Sequence, residues 1–393
     1  MPSIKTTNIF SEFFESEKTG GLLLLICTII SVFIANTSFG ENYIHFWHSY
    51  LNLSFSKIEL NYSVEHWIND GLMAIFFLMV GLEIERELYI GELSDFKKAL
   101  LPILAAVGGM ILPAAIHFLF NRGTDAQSGI GIPMATDIAF ALGMLSLLGN
   151  KIPPSLKIFL SALAIIDDLG AIIIIAVFYS KGISFLYLSI ALGIFVLLLV
   201  LNRLKVLNLF FYIIPGIIMW YCMLKSGVHA TISGVLLAFA IPFNKNGKKN
   251  PSEIVQHFLH KPVAFLILPV FALANTCILL SDGWLQSLTH HNSLGIIAGL
   301  FLGKPIGILL LCFIGVKLKW CKLPHDMQWG HLLGVGVLAG IGFTMSIFIS
   351  NMAFPDIELV QSSKIAVLVA SLIACITGLT FLSVTKKPVK QGK

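Results

Sequence analysis

Long apolar runs recur along almost the whole of this 393-residue chain, and they leave few architectures open to it. Hydrophobic residues make up 56% of the sequence and charged residues only 12%, about half the charged fraction of an ordinary soluble domain. Because an α-helix needs about 20 apolar residues to cross a bilayer, the runs predict an all-α polytopic membrane protein. Twelve transmembrane helices are predicted, near residues 16–35, 65–85, 98–120, 127–148, 154–179, 184–202, 208–223, 227–242, 254–278, 293–315, 330–350 and 362–384.

The lysine and arginine residues favour one orientation of these twelve segments. With a cytoplasmic N-terminus, 20 of the 26 Lys and Arg residues fall on the cytoplasmic side, five fall outside, and Lys304 lies within a span. This asymmetry follows the positive-inside rule, so both termini are expected in the cytoplasm. The basic residues are spread over short loops, which argues against a nucleic-acid partner. The six cysteines form no CxxC pair, and we expect neither disulfides nor a thiolate metal site.

One predicted external loop has the alternation of two paired β-strands. Between residues 51 and 62, apolar and polar residues alternate on both sides of a turn at Ser56 and Lys57. This pattern predicts a small external β-hairpin at approximately residues 45–62. Since an isolated hairpin is only marginally stable in water, we expect it to pair with a second copy of the chain in a homodimer. An amphipathic loop lying on the membrane surface is the alternative.

Asp167 and Asp168 stand side by side within the apolar run 154–179, roughly 20 Å from its start at about 1.5 Å per residue. A charged residue at the centre of a membrane helix costs about 2.5–3.5 kcal/mol on insertion scales. The pair therefore predicts an ion or proton pathway, with a buried ion-pair scaffold as the alternative. Carboxylate, hydroxyl and carbonyl oxygens suit a hard cation, and protons can supply the remaining balance of charge.

Two further deep charges, Asp137 and Lys304, lie near predicted helix interruptions. Asp137 follows Thr136 and Pro133, and a proline within a span favours a break in the helix. A matching interruption is predicted later in the chain, where glycines occur at positions 334, 336, 340 and 342. For these glycines, close helix packing is the alternative. Half-helix ends carry partial charges, which Asp137 and Lys304 are available to neutralise.

Several ordered motifs in this chain are similar to those of one known family. They lie at residues 69–83, 135–143, 162–171, 224–231, 303–305 and 340–348. Through them the chain resembles the NhaA family of bacterial sodium/proton antiporters over essentially its whole length. That family is among those from which the pattern of discontinuous transporter helices was described, so the broken-helix prediction is not independent of the resemblance.

The resemblance implies a single transmembrane transporter domain over residues 1–393, with inverted repeats at approximately 98–179 and 293–384 and two broken, crossing helices. It implies that Asp167 and Asp168 bind Na⁺ and protons. It also implies that Asp137 and Lys304 balance the broken-helix dipoles beside Thr136, and that the external hairpin forms the dimer contact. The family comprises secondary transporters of the bacterial inner membrane. By resemblance the protein is not an enzyme, has no cofactor, and exchanges one Na⁺ or Li⁺ for two H⁺.

A charged cluster near the cytoplasmic end of the second predicted span resembles the pH-response region of the family. The matching positions are Glu83, Arg86, Glu87 and His260. From the residues alone, an interfacial cluster whose long side chains reach water is the alternative. Two positions depart from the family pattern, because Glu85 replaces a usual basic residue and Gln256 replaces a usual acidic residue. The pH profile is therefore left open.

Three other functions were considered for a membrane protein with buried charges, and each makes a prediction that distinguishes it. An intramembrane aspartyl protease also needs two membrane aspartates, but it carries a GxGD motif that this chain lacks. A proton-coupled metabolite transporter would need a larger polar pocket than the few polar residues at this depth can line. A cation channel would move ions without counter-transport of protons.

His229 is expected to be a hydrogen-bonded structural residue.

Overall fold

The computed structural model describes residues 3–55, 59–180, 182–244, 250–280 and 283–385, most of them in helices. The helices are α1 (Ser3–Ala35), α2 (Gly40–His48), α3 (Val64–Tyr89), α4 (Phe96–Asn121), α5 (Ile138–Leu147), α6 (Pro154–Phe178), α7 (Phe185–Arg203), α8 (Phe210–Ser226), α9 (Ile232–Ala240), α10 (Pro251–Asn275), α11 (Trp284–Ser287), α12 (His291–Lys317), α13 (Trp329–Ala339), α14 (Phe343–Ala353) and α15 (Ile357–Val384). Helices α3, α10 and α12 contain π-helical turns at Trp67–Leu72, Val263–Ile267 and Gly299–Gly303. Segments of 3₁₀-helix lie at Glu92–Ser94, Asp125–Met134 and Gly149–Lys151.

Within the described residues, eight helices are long and apolar enough to cross a membrane. Two bent pairs raise this number to as many as ten: the 3₁₀ segment Asp125–Met134 with α5, bent by 42°, and α13 with α14, bent by 46°. Helices α8 and α9 are apolar but have only 17 and 9 residues. Every predicted segment thus contains helix, and the chain is a polytopic helical protein. That all twelve segments cross the membrane stays a prediction.

The chain divides into two compact units, each assembled from segments that are distant in sequence. Unit 1 comprises Met1–Leu25, Glu92–Ala171 and Leu280–Lys393. Unit 2 comprises Ile26–Gly91 and Ile172–Leu279. The single transmembrane transporter domain over residues 1–393 stays a prediction. The two segments proposed as repeats each run through a long helix, a bent pair and another long helix, and their inverted relation stays a prediction.

Unit 1 is held together by close helix packing. Helices α4 and α12 touch at Gly108 and Gly307, where a Cβ atom on either glycine would lie 2.1 Å from the carbonyl oxygen of the other. Only glycine allows two backbones to approach so closely. Helix α15 packs along α12, α13 and α14. This packing fixes the bent pair α13–α14 against the rest of the unit.

Unit 2 has an apolar core that includes Tyr212, Met219 and Leu82. The Tyr212 hydroxyl is satisfied because it donates a hydrogen bond to the Val206 carbonyl oxygen at 2.9 Å. Helix α8 ends at Ser226, and the next residue, Gly227, has a φ of 79°, a left-handed conformation that favours glycine. This stop agrees with the predicted boundary between the seventh and eighth segments.

A two-stranded antiparallel sheet in unit 2 confirms the predicted hairpin. Strand β1 (Tyr50–Asn52) pairs with β2 (Asn61–Ser63), and Tyr50 lies opposite Ser63. The predicted range began too early, because residues up to His48 belong to α2. The predicted turn at Ser56 and Lys57 lies outside the described residues.

Candidate functional site

The aspartate pair of α6 is buried in the described structure. Asp167 and Asp168 each expose only 1% of their surface. Asp167 Oδ2 lies 3.0 Å from the ammonium nitrogen of Lys304 and accepts a hydrogen bond from the Thr136 hydroxyl at 2.7 Å. Its other oxygen, Oδ1, accepts no hydrogen bond from the described residues. The carboxylate therefore keeps one buried oxygen available to a ligand or a proton.

Lys304 reaches this site from α12, where its side chain is completely buried. Besides pairing with Asp167, the ammonium group donates a hydrogen bond to the Met134 carbonyl oxygen and interacts electrostatically with Asp168. Met134 is the last residue of the 3₁₀ segment Asp125–Met134. A cation is favourable at a helix C-terminus because the terminal carbonyl groups carry partial negative charge.

Asp137 caps two interrupted helices at once. Its Oδ1 atom accepts the Phe140 N–H at 2.9 Å, which caps α5. Its Oδ2 atom accepts the Thr344 N–H at 3.1 Å and the Thr344 hydroxyl at 2.5 Å, at the start of α14. The backbone N–H of Asp137 also donates to the Ile341 carbonyl oxygen at 2.7 Å. One carboxylate thereby satisfies donors at two positive helix ends.

The Thr136 hydroxyl links the aspartate pair to the second break. It lies 2.7 Å from Asp167 Oδ2 and 3.0 Å from the carbonyl oxygen of Ala339, the last residue of α13. A hydroxyl has one proton, so it can donate to only one of these two acceptors at a time. Because the Asp167 acceptor is charged and closer, it is the stronger partner of the two.

The glycines near the second break serve both of the purposes considered from the sequence. A Cβ atom at Gly334 would meet the Leu382 side chain at 2.5 Å, which is a helix-packing contact with α15. A Cβ atom at Gly340 would lie 2.4 Å from the backbone oxygen of Leu300, at the bend itself. The first glycine therefore allows packing, and the second allows the bend between α13 and α14 to sit against α12.

The structure brings together Asp167, Asp168, Asp137, Lys304 and Thr136 within unit 1. The sequence did not single out Thr344, although this hydroxyl stands directly after the predicted glycine-rich break. It also did not indicate the role of the Met134 carbonyl oxygen. Every residue has a backbone carbonyl group, so the residue type does not show which one binds a lysine.

The predicted pH-response residues Glu83, Arg86, Glu87 and His260 belong to unit 2, where all four are half-buried. Glu85, one of the departures from the family pattern, is only 4% exposed and accepts a hydrogen bond from the Ser252 hydroxyl at 2.8 Å. This contact joins α3 to α10.

His229 donates through Nε2 to the Tyr179 carbonyl oxygen at 3.1 Å, as expected of a structural histidine.

Two bent helix pairs, and buried charges where their ends meet, define a polytopic membrane protein of the discontinuous-helix class. The sequence profile of the Na⁺/H⁺ antiporter 1 family matches residues 11–382. The chain therefore belongs to that family.

Relatives in several bacteria agree with this assignment. The Na⁺/H⁺ antiporter NhaA 1 of Flavobacterium johnsoniae is 59% identical over 379 residues, which cover 96% of this chain and 97% of that protein. The NhaA antiporter of Dechloromonas aromatica is 57% identical over 96% of each chain. The one from Citrobacter koseri is 45% identical over 96% of this chain and 98% of its own.

A solved structure has a similar fold at low sequence identity. The sodium proton antiporter MjNhaP1 from Methanocaldococcus jannaschii, determined at pH 8, has a TM-score of 0.57 and 13% identity. The similarity covers 98% of this chain and 99% of that one. It extends over essentially the whole fold.

Proposed function

We propose that the protein is a secondary active Na⁺/H⁺ antiporter that exports Na⁺ or Li⁺ in exchange for two H⁺ by alternating access. The observation that carries this proposal is the buried group of Asp167, Asp168 and Lys304, with an oxygen of Asp167 left open. Its location would be the bacterial inner membrane, with both termini in the cytoplasm. Antiport then supports sodium and pH homeostasis.

The charge of the site suits a monovalent cation. When Asp167, Asp168 and Lys304 are all ionised, the group holds one uncompensated negative charge, which one Na⁺ would neutralise. The oxygen atoms available as cation ligands belong to carboxylate and hydroxyl groups, which prefer hard cations to soft transition metals. Since helix neighbours point about 100° apart, we assign Asp168 as the principal Na⁺ ligand and Asp167 as the partner of Lys304.

In the proposed cycle, Na⁺ and protons compete for the same carboxylates. Facing the cytoplasm, the deprotonated pair binds Na⁺, and the carrier then exposes the site to the outside. Na⁺ leaves, two protons bind, and the protonated site returns. One net positive charge enters per cycle, so a membrane potential contributes about 2.3 kcal/mol per 100 mV.

Two routes for the second proton fit the ion pair. In the first, both aspartates are protonated and Lys304 stays charged throughout. In the second, Lys304 loses its proton when Na⁺ binds and regains it when Na⁺ leaves, and Asp167 remains an acceptor. Both routes move the same net charge, and they differ in the state in which the 3.0 Å contact between Lys304 and Asp167 is an ion pair: the Na⁺-bound state in the first route and the proton-bound state in the second.

The remaining predicted residues have supporting roles in this proposal. Asp137 and Lys304 stabilise the opposed ends of the interrupted helices, and Thr136 orients Asp167. Glu83, Arg86, Glu87 and His260 regulate the response to pH on the cytoplasmic side. The strands β1 and β2 mediate homodimer formation, because an added copy would extend a sheet that has only two short strands.

Transport by the purified protein in liposomes tests the proposal. We expect an imposed Na⁺ gradient to drive proton movement in the opposite direction, and an imposed membrane potential to change its rate. Asp168→Asn should abolish Na⁺-driven exchange, whereas Ser350→Ala should not, because the Ser350 hydroxyl donates within its own helix, to the Ile347 carbonyl oxygen. Undiminished exchange by Asp168→Asn would refute the site, and insensitivity to potential would refute the electrogenic stoichiometry.

A further inference from the structure

Helix α14, the second half of the later bent pair, has no cap of its own. The residue before it is Gly342, which has no side chain to accept a hydrogen bond. A larger residue does not fit there, because a Cβ atom would lie 2.1 Å from Ser346 Oγ and 3.0 Å from a Leu300 side-chain carbon. Ser346 is itself held by donation to the Ile132 carbonyl oxygen at 2.7 Å. The first N–H groups of α14 therefore need acceptors from elsewhere in unit 1.

Two side chains from other helices supply those acceptors. Asp137 accepts the N–H of Thr344 at 3.1 Å. Ser371 of α15 accepts the N–H of the preceding residue, Phe343, through its hydroxyl oxygen at 3.2 Å. Ser371 is only 5% exposed. The charged acceptor and the neutral acceptor thus hold consecutive residues at the beginning of the same half-helix.

The position of Phe343 also affects the other interrupted helix. Its ring packs against the ring of Phe140, with centroids 5.5 Å apart. Phe140 is the residue whose N–H is bonded to Asp137 Oδ1. A displacement of Phe343 would therefore act on Asp137 from two sides, through Thr344 and through Phe140.

We propose that Ser371 is a positioning residue of the ion site, which fixes the start of α14 and thereby the geometry of Asp137 and Thr344. This role rests on the proposed antiport function. Within a membrane protein, no bulk water replaces a lost partner of a buried N–H group. Without the Ser371 oxygen, α14 would shift to find another acceptor, and the contacts of its first turn with Asp137 would loosen.

Three substitutions separate positioning from simple stabilisation. Ser371→Ala removes the acceptor, Ser371→Thr keeps a hydroxyl oxygen at the same position, and Ser371→Cys keeps the size but offers only a weak acceptor. The matched control is Ser350→Ala in α14, because that buried serine donates within its own helix, to the Ile347 carbonyl oxygen. Each protein is reconstituted in liposomes and compared with the unsubstituted chain.

The decisive measurement is the Na⁺ concentration that gives half-maximal exchange, taken separately from the maximal rate. For Ser371→Ala we expect this concentration to rise about tenfold, which corresponds to about 1.4 kcal/mol. The maximal rate should change less, Ser371→Thr should return to within about twofold of the parent, and Ser350→Ala should match the parent. If the alanine protein does not fold, Ser371→Cys replaces it and should show an intermediate increase.

Other results would overturn the proposal in distinguishable ways. An unchanged half-saturating Na⁺ concentration in Ser371→Ala or, failing that protein, in Ser371→Cys would refute the positioning role alone. An equal increase in Ser350→Ala would do the same, because it would show that loss of any buried hydroxyl has this effect. Absence of Na⁺-driven exchange by the unsubstituted chain would instead refute the proposed function, and the role of Ser371 with it.

Discussion

The carboxylate of Asp167 and the ammonium group of Lys304 lie 3.0 Å apart, and neither side chain reaches solvent. The two residues are on different helices, so this pair connects α6, which holds both aspartates, to α12, whose lysine reaches the end of the 3₁₀ segment at the first break. Two charges removed from water are stable only together with their hydrogen-bond partners. Here those partners are the Thr136 hydroxyl and the Met134 carbonyl oxygen.

Breaking this ion pair should destabilise the protein. Lys304→Gln leaves the Asp167 carboxylate without its counter-charge, and we expect a loss of about 3–5 kcal/mol in the free energy of unfolding. Thermal unfolding in detergent measures the effect. The double variant Asp167→Asn/Lys304→Gln removes both charges and should lose less than the two single variants together. Strictly additive losses would show that the two groups do not stabilise one another.

The Thr136 hydroxyl should matter more for Na⁺ affinity than for folding. Thr136→Val has a similar shape but cannot donate to Asp167, so the carboxylate loses a charge-assisted hydrogen bond. We expect the half-saturating Na⁺ concentration at alkaline pH to rise about tenfold, equivalent to about 1.4 kcal/mol. Thr136→Ser retains the hydroxyl and serves as the control, with a change of no more than about twofold. Equal values for the valine and serine variants would contradict the assignment.

Substitutions of Asp137 should reveal that it caps two helices. Asparagine can still cap α5 through its oxygen, but its amide nitrogen cannot accept from Thr344. Alanine removes both caps, and a lost helix cap costs about 0.5–2 kcal/mol. Asp137→Ala should therefore lower the thermal unfolding midpoint more than Asp137→Asn does. Thr344→Val removes the hydroxyl donor to Asp137 and keeps the N–H donor, so a midpoint equal to that of the parent would show that the hydroxyl adds nothing to the second cap.

A methyl group at the second break should be poorly tolerated. Gly340→Ala would bring its Cβ within 2.4 Å of the Leu300 backbone oxygen, and overpacking of this kind costs about 1–3 kcal/mol. The matched control is Gly193→Ala in α7, where a Cβ atom would have none of the described residues within 4 Å. We expect the thermal midpoint to fall for Gly340→Ala and to remain unchanged or rise slightly for Gly193→Ala. Equal midpoints would show that the break has room to adjust.

Features set by local sequence were predicted well. The apolar segments follow from the length of helix needed in a bilayer, and the hairpin strands follow from alternation over a few residues. Asp167 and Asp168 were singled out because charge in an apolar run is costly whatever surrounds it, and their role as ion ligands stays a proposal. The predicted turn at Ser56 and Lys57 lies outside the described residues and stays a prediction.

Features set by distant contacts were not predictable in the same way. The Thr344 hydroxyl that donates to Asp137 is 207 residues away from it in sequence, and the residues next to Thr344 in sequence do not indicate which group accepts this hydrogen bond. Ser371 likewise looks like an ordinary small residue of a membrane helix until α14 is seen to lack a cap. The division into two units also depends on which helices pack together.

By itself, the sequence determined that this chain is a membrane protein with costly charges at Asp137, Asp167, Asp168 and Lys304. Only the tertiary structure decided which groups compensate those charges. Lys304 is compensated by Asp167 and the Met134 carbonyl oxygen, and Asp137 is compensated by N–H groups at two helix ends. The physical reason is that the cost of burying a charge depends on the local run of residues, whereas its compensation depends on atoms that packing brings within about 3 Å.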